Sequence, residues 1–83
     1  MDLRKSFEEY SEAEFTRLVS LIFNAEGGER FQDELLENFI AVTEHPDGSD
    51  LIYYSDDDDL TPEKIIATVR AWRKSVGLPD LKS

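Results

Sequence analysis

The residues of this chain that could do chemistry are few and crowded together. His45 is its single histidine, there is no cysteine, and the segment "HPDGSDLIYYSDDDD" from His45 to Asp59 brings one histidine, two serines, two adjacent tyrosines and six aspartates into fifteen residues. A Ser/His/Asp triad drawn from Ser49, His45 and Asp47 fails on geometry. Three groups within one turn cannot form the line of nucleophile, base and orienting carboxylate that acyl transfer needs. His45 is expected instead to cap or pack at the end of a helix. "SDDDDLTPE" offers the hard oxygen ligands that calcium takes, but it lacks the alternating spacing, the glycine at the sixth position and the glutamate at the twelfth of a calcium loop. It reads as a solvated loop that supplies negative potential. No catalytic, cofactor-binding or metal-binding set is therefore expected, and the chain does not read as an enzyme.

Tyr53 and Tyr54 point to a different chemistry. Adjacent side chains on a helical turn diverge by about 100°, so both rings cannot face one core and at least one is expected on the acidic surface. An exposed tyrosine among carboxylates suits a protein interface: the ring supplies rigid contact area at low entropic cost, and the carboxylates supply attraction and orientation.

The formal net charge of −10 is unevenly spread. From Phe31 to Glu63 there is no lysine or arginine, while Asp33, Glu34, Glu37, Glu44, Asp47, Asp50, Asp56, Asp57, Asp58, Asp59 and Glu63 all fall there. Such a block repels nucleic acid and anionic membranes and speeds the capture of a cationic partner. At 83 residues the chain is expected to be one domain, residues 1–83, whose stability comes from apolar packing without disulfides. The absence of cysteine suits a reducing cytoplasm. The opening "MDLRKSFEEYSEAEF" has charges at almost every second position and no apolar core segment, which argues against a signal peptide or membrane anchor.

The elements that must position these residues are legible from caps and periodicity. Ser11 and Glu14 make a capping box, and Phe15, Leu18, Val19 and Ile22 recur at helical spacing, which predicts a first helix from about Glu12 to Asn24, ended by Gly27 and Gly28. In "RFQDELLENFIAVTE", Phe31, Leu35, Phe39 and Val42 share a stripe about 80° wide, with Leu36 and Ile40 about 125° from its centre. This second helix is thus expected to carry a core face and a mixed apolar and acidic face. Thr61, Pro62 and Glu63 open a last helix whose core stripe is Ile65, Val69, Trp72 and Val76; Arg70, Arg73 and Lys74 suit its C-terminal dipole, and Gly77 and Pro79 stop it. "LIYY" fits a short strand or a helical turn. Since a lone strand has no sheet to join, a short helix from about Ser49 to Tyr53 is expected. The fold class is all-α, a small four-helix bundle with three long helices and one short third helix.

"YSEAEF" at Tyr10 to Phe15, "TEHPDGSDLIYY" at Thr43 to Tyr54, the aspartate run followed by "TPEKI", and "WRKSVGLP" from Trp72 to Pro79 together resemble the immunity proteins of DNase-type colicins and pyocins. The likeness runs over essentially the whole chain, in order. It implies a bacterial, cytoplasmic inhibitor that forms a 1:1 heterodimer with the HNH-type DNase domain of its cognate bacteriocin, is released with it as a complex, and is a monomer when free. It implies docking beside the nuclease active site, with exclusion of DNA by the inhibitor's negative field. Carried over by position, Ser49, Asp50, Tyr53 and Tyr54 match the common anchor motif, and Glu29, Gln32, Asp33, Leu36, Glu37 and Ile40 match the variable face that selects one nuclease over another. This chain departs from the pattern at Ser55, where proline is frequent, and at Asp80 and Leu81, where glycine and an aromatic are frequent. A general acidic adaptor that binds basic surfaces by field alone is the alternative reading.

Overall fold

The computed structural model describes residues 3–48, 50–53 and 59–82. A 3-10 turn at Phe7–Glu9 leads into α1 (Glu12–Phe23), followed by α2 (Glu29–Thr43), the one-turn α3 (Asp50–Tyr53) and α4 (Pro62–Ser75). The fold is all-α, and α1 packs against both α2 and α4. Among the described residues no helix is long and apolar enough to cross a membrane.

The first and last long helices start where their local chemistry directs, whereas α2 begins after Gly28 without a side-chain cap. The Ser11 hydroxyl accepts from the Glu14 N–H, and the Glu14 carboxylate accepts from the Ser11 N–H, so two orphan amides of α1 are satisfied reciprocally. At α4, the Thr61 hydroxyl accepts from the Lys64 N–H and Pro62 takes the first helical position.

The end of α1 differs from expectation. Ala25, not a glycine, takes the left-handed conformation (φ +52°), with the Ala25 N–H donating to the Ile22 carbonyl and the Glu26 N–H to the Leu21 carbonyl. Gly27 serves the next step of the connection. Its φ of +82° and a Phe31 ring packed where a Cβ would stand both require glycine.

The core gathers Phe15, Leu18, Val19 and Ile22 of α1, Leu35, Phe39 and Val42 of α2, Ile52 of α3, and Ile65, Ile66 and Val69 of α4. The opening segment contributes more than its charge pattern suggests. Phe7 and Tyr10 are fully enclosed and meet the Phe15 ring edge-on at 4.9 and 5.5 Å, while Phe15 stacks on Phe39 at 6.0 Å. The Tyr10 hydroxyl donates to Asn38 Oδ1 (2.6 Å) and accepts from the Arg4 N–H, and Asn38 Nδ2 donates to the Arg4 carbonyl (2.7 Å). One amide on α2 thereby fastens the N-terminal segment.

The core stripe of α4 is rotated from the expected one. Val76 is 52% exposed and Trp72 half-buried, whereas Arg73, 2% exposed, lies inward. Its guanidinium serves the C-terminus of α2 rather than that of its own helix. Nη1 donates to the Val42 and Thr43 carbonyls (both 3.1 Å) and to Glu44 Oε2 (3.3 Å), Nε donates to the Pro79 carbonyl (2.9 Å), and the cation lies 4.3 Å from the centre of the Phe7 ring. A buried charge is tolerable here because carbonyls, a carboxylate and a ring face surround it.

The C-terminal segment folds back as a strap. Asp80 accepts a bidentate pair from Arg70 (2.9 Å each), the Lys82 N–H donates to the Tyr10 carbonyl, and Leu81 packs against the core. Asp80 and Leu81, the two departures from the family pattern in this tail, thus have structural work to do.

Glu14 links the cap to the N-terminus. The Arg4 guanidinium (2.8 Å) and then the Ser11 N–H hold its carboxyl down at about 2. A depressed folded-state value contributes stability that is complete above the ordinary carboxylate range and lost as pH falls through about 2. In Glu14→Gln, urea midpoints are expected to lie below the parent near neutral pH, and the gap should narrow as pH falls from about 4.5 towards 2. A gap independent of pH would refute the assignment.

Candidate interaction site

The candidate site is built on the exit from α2 and the short helix it leads to. Glu44 takes a left-handed conformation (φ +58°) with its N–H on the Ile40 carbonyl, which ends α2 and turns the chain. His45 then packs its ring on Trp72 of α4 (4.8 Å), and His45 Nδ1 accepts from the Asp47 N–H (3.0 Å). That nitrogen is committed to the turn rather than to a carboxylate, so no Asp47–His45 catalytic pair is formed. The Gly48 N–H donates to the His45 carbonyl, the Asp50 N–H to that of Asp47, and the Leu51 N–H to that of Gly48. This chain of bonds carries the turn into α3.

Gly48 is buried at φ +47°, and the Ile40 γ-carbons stand at ordinary van der Waals range from where a Cβ on it would lie. On α3, Ile52 enters the core and Leu51 packs at its edge, which sends Tyr53 outward at 54% exposure. Adjacent positions on a helical turn cannot share the inward direction, and Ile52 has taken it. Asp50 is exposed at the start of the same turn. Ser49, Tyr54 and Asp56 to Asp58 lie outside the described residues.

The second face of α2 adjoins this turn. Glu29, Asp33 and Glu37 are exposed, Ile40 is 41% exposed, and Leu36 is half-buried against the core edge. Steps of three and four place them along one side of the helix. Gln32 is different. Its Nε2 donates to the Leu21 carbonyl (3.0 Å) and to the Glu26 carbonyl, so its amide group closes the end of α1. Nothing in the local pattern announces this, because the partners lie eleven and six residues earlier in the chain.

No cation lies in the sequence between Phe31 and Glu63, so the exposed carboxylates of Asp33, Glu37, Asp47 and Asp50 flank Tyr53 and Ile40 without a basic residue from their own segment. The face can present an aromatic and aliphatic centre within a negative rim, which suits a basic protein surface. Among the described residues, no group of three or more His, Asp or Glu side chains is placed to hold a metal ion.

Comparison with known proteins gives a consistent picture. A family model described as colicin immunity protein / pyocin immunity protein matches residues 7–75. The pyocin-S1 immunity protein of Pseudomonas aeruginosa and the pyocin-S2 immunity protein of Pseudomonas aeruginosa PAO1 are each 35% identical over 88 aligned positions, covering 98% of this chain and 99% of theirs. Among solved structures, the fold is similar to a chain of the pyocin AP41 DNase–immunity complex (TM-score 0.85, 30% identity, 96% of this chain and 99% of that one). It is similar also to a chain from the mutant nuclease domain of pyocin S8 with its cognate immunity protein (TM-score 0.86, 33% identity, 96% and 100%).

Proposed function

The chain belongs to the colicin immunity protein / pyocin immunity protein family, and from that membership we propose that it binds and inhibits the HNH-type DNase domain of its own colicin or pyocin. The complex is a 1:1 heterodimer. Asp50 and Tyr53, with Ser49 and Tyr54 beside them, form the anchor; Glu29, Asp33, Leu36, Glu37 and Ile40 form the face that selects the partner, with Gln32 holding the start of that face in place. The inhibitor is a monomer in the cytoplasm of the producing bacterium until it meets the toxin, and leaves the cell bound to it.

The observation that carries this reading is the 54% exposed Tyr53 set within a segment free of cations, next to an exposed side of α2. A DNase must present a basic surface to phosphates, and a ligand of net charge −10 is drawn to that surface. Docked beside the active site, the inhibitor's carboxylates repel the DNA backbone, so no group of the inhibitor has to enter the catalytic centre. The tyrosine supplies the desolvated contact that slows dissociation, and the charges mainly speed association.

The test is DNA cleavage by a panel of bacteriocin HNH nuclease domains with this chain added. Inhibition of at least one at near-stoichiometric ratio is expected; failure against all of them at micromolar inhibitor would overturn the reading. Raising salt separates the alternative of an acidic adaptor, because binding by field alone nearly vanishes, whereas a complex with a buried aromatic anchor loses association rate and keeps much of its affinity. Across the same panel, Asp33→Ala is expected to change the ratio of affinities for two nucleases by about tenfold, with a urea midpoint close to the parent's. A ratio unchanged from the parent would remove Asp33 from the selecting face.

A further inference from the structure

We propose that Ile40 is a positioning residue for the anchor as well as part of the selecting face, so that the α2 face and α3 respond to a partner as one unit. The proposal deepens the partner-binding reading, on which only its second experiment rests.

Ile40 lies on the outer side of α2 at 41% exposure, yet its γ-carbons also face the turn that leads into α3, at Gly48. A Cβ built on Gly48 would sit 3.6 and 3.8 Å from the two γ-carbons of Ile40, so the isoleucine lines the space that a side chain on the buried glycine would enter. Gly48 in turn accepts from the Leu51 N–H (3.3 Å) and donates to the His45 carbonyl (3.0 Å). The residue under Ile40 is thus the one from which α3 starts, two residues before Asp50 and five before Tyr53.

Among the described residues, side chains of both α4 and α2 stand against this turn. On α4 Trp72 meets the His45 ring, and on α2 the Ile40 γ-carbons stand beside the Cβ position of Gly48. The second is the one that a partner on the α2 face would touch. A β-branched side chain in a helix is held near one χ1 rotamer, so Ile40 is a stiff platform rather than a flexible cover. Shortening it withdraws that platform from the anchor without opening a hole in the core, because it is not a core residue.

Two experiments decide the matter. In the free chain, Ile40→Ala is expected to speed amide hydrogen exchange at Gly48, Asp50 and Leu51 by about tenfold or more while α1 and α4 keep their protection. Ile40→Val, which retains both γ-carbons, is expected to restore the parent rates. Parent-like exchange at these three amides in Ile40→Ala would overturn the proposal. In the complex with an inhibited nuclease domain, Tyr53→Ala is expected to weaken binding about thirtyfold in the parent and no more than about fivefold in the Ile40→Ala background. Independent, multiplicative losses would overturn it equally. A parent chain that inhibits no nuclease would defeat the functional reading instead, and the exchange experiment would still decide this one.

Discussion

Tyr53→Ala is expected to weaken the complex with the cognate nuclease by at least about 2 kcal/mol, roughly thirtyfold in Kd, while shifting folding stability by less than about 0.5 kcal/mol. The asymmetry follows from where the ring stands. Ile52 is the α3 side chain that enters the core, so the fold gains little from a tyrosine that is 54% exposed. In the proposed complex the same ring would be desolvated against the partner, so truncation would remove a large rigid contact from the middle of a negative rim. Titration calorimetry or competition binding gives the affinity and urea unfolding gives the stability. Tyr53→Phe separates the ring from its hydroxyl. Equal affinity in Tyr53→Ala and the parent would dispose of the anchor assignment.

The second large effect is on the fold. Arg73→Met is expected to lower unfolding stability by about 3 kcal/mol, because a side chain of similar volume fills the space but leaves the Val42, Thr43 and Pro79 carbonyls without their donor and removes the cation from Glu44. Buried acceptors cost more unsatisfied than their hydrogen bonds contribute when made, so the sum exceeds an ordinary surface change. Arg73→Lys keeps the charge but cannot span α2 and Pro79 at once, and is expected to fall between the parent and the methionine variant. Urea denaturation reads all three. A methionine variant as stable as the parent would show that the guanidinium's bonds only balance its desolvation.

These predictions differ in how far the sequence alone led to them. The starts of α1 and α4 were legible because Ser11 with Glu14, and Thr61 with Pro62, act over three or four residues and need nothing from the rest of the fold. The turn at Pro46 to Gly48 was legible for the same reason, the short helix that carries Tyr53 only because a lone strand would have had no sheet to join, and the stripe of Leu35, Phe39 and Val42 declared the inward side of α2. The divergence of neighbouring side chains put at least one of Tyr53 and Tyr54 on the surface without saying which, and Ser49 and Asp50 were added by resemblance to a family. The last helix was read less well. Trp72 and Val76 satisfied a hydrophobic stripe on paper, but Ile65, Ile66, Val69 and Arg73 are the positions that face inward.

That difference has a definite physical origin. By itself the sequence determined the helices, the caps of α1 and α4 and the cation-free acidic segment, since each depends on residue type and spacing within a turn or two. Tertiary structure alone decided that Arg73 closes α2 from about thirty residues away, that Asn38 fastens the N-terminal segment through Tyr10 and Arg4, that Gln32 closes the end of α1, and that Ile40 faces the side-chain position of Gly48. Hydrogen-bonding capacity is written in a residue's identity. Which distant carbonyl or backbone it meets is set only once the helices have packed and the unsatisfied ends of one element come within reach of another.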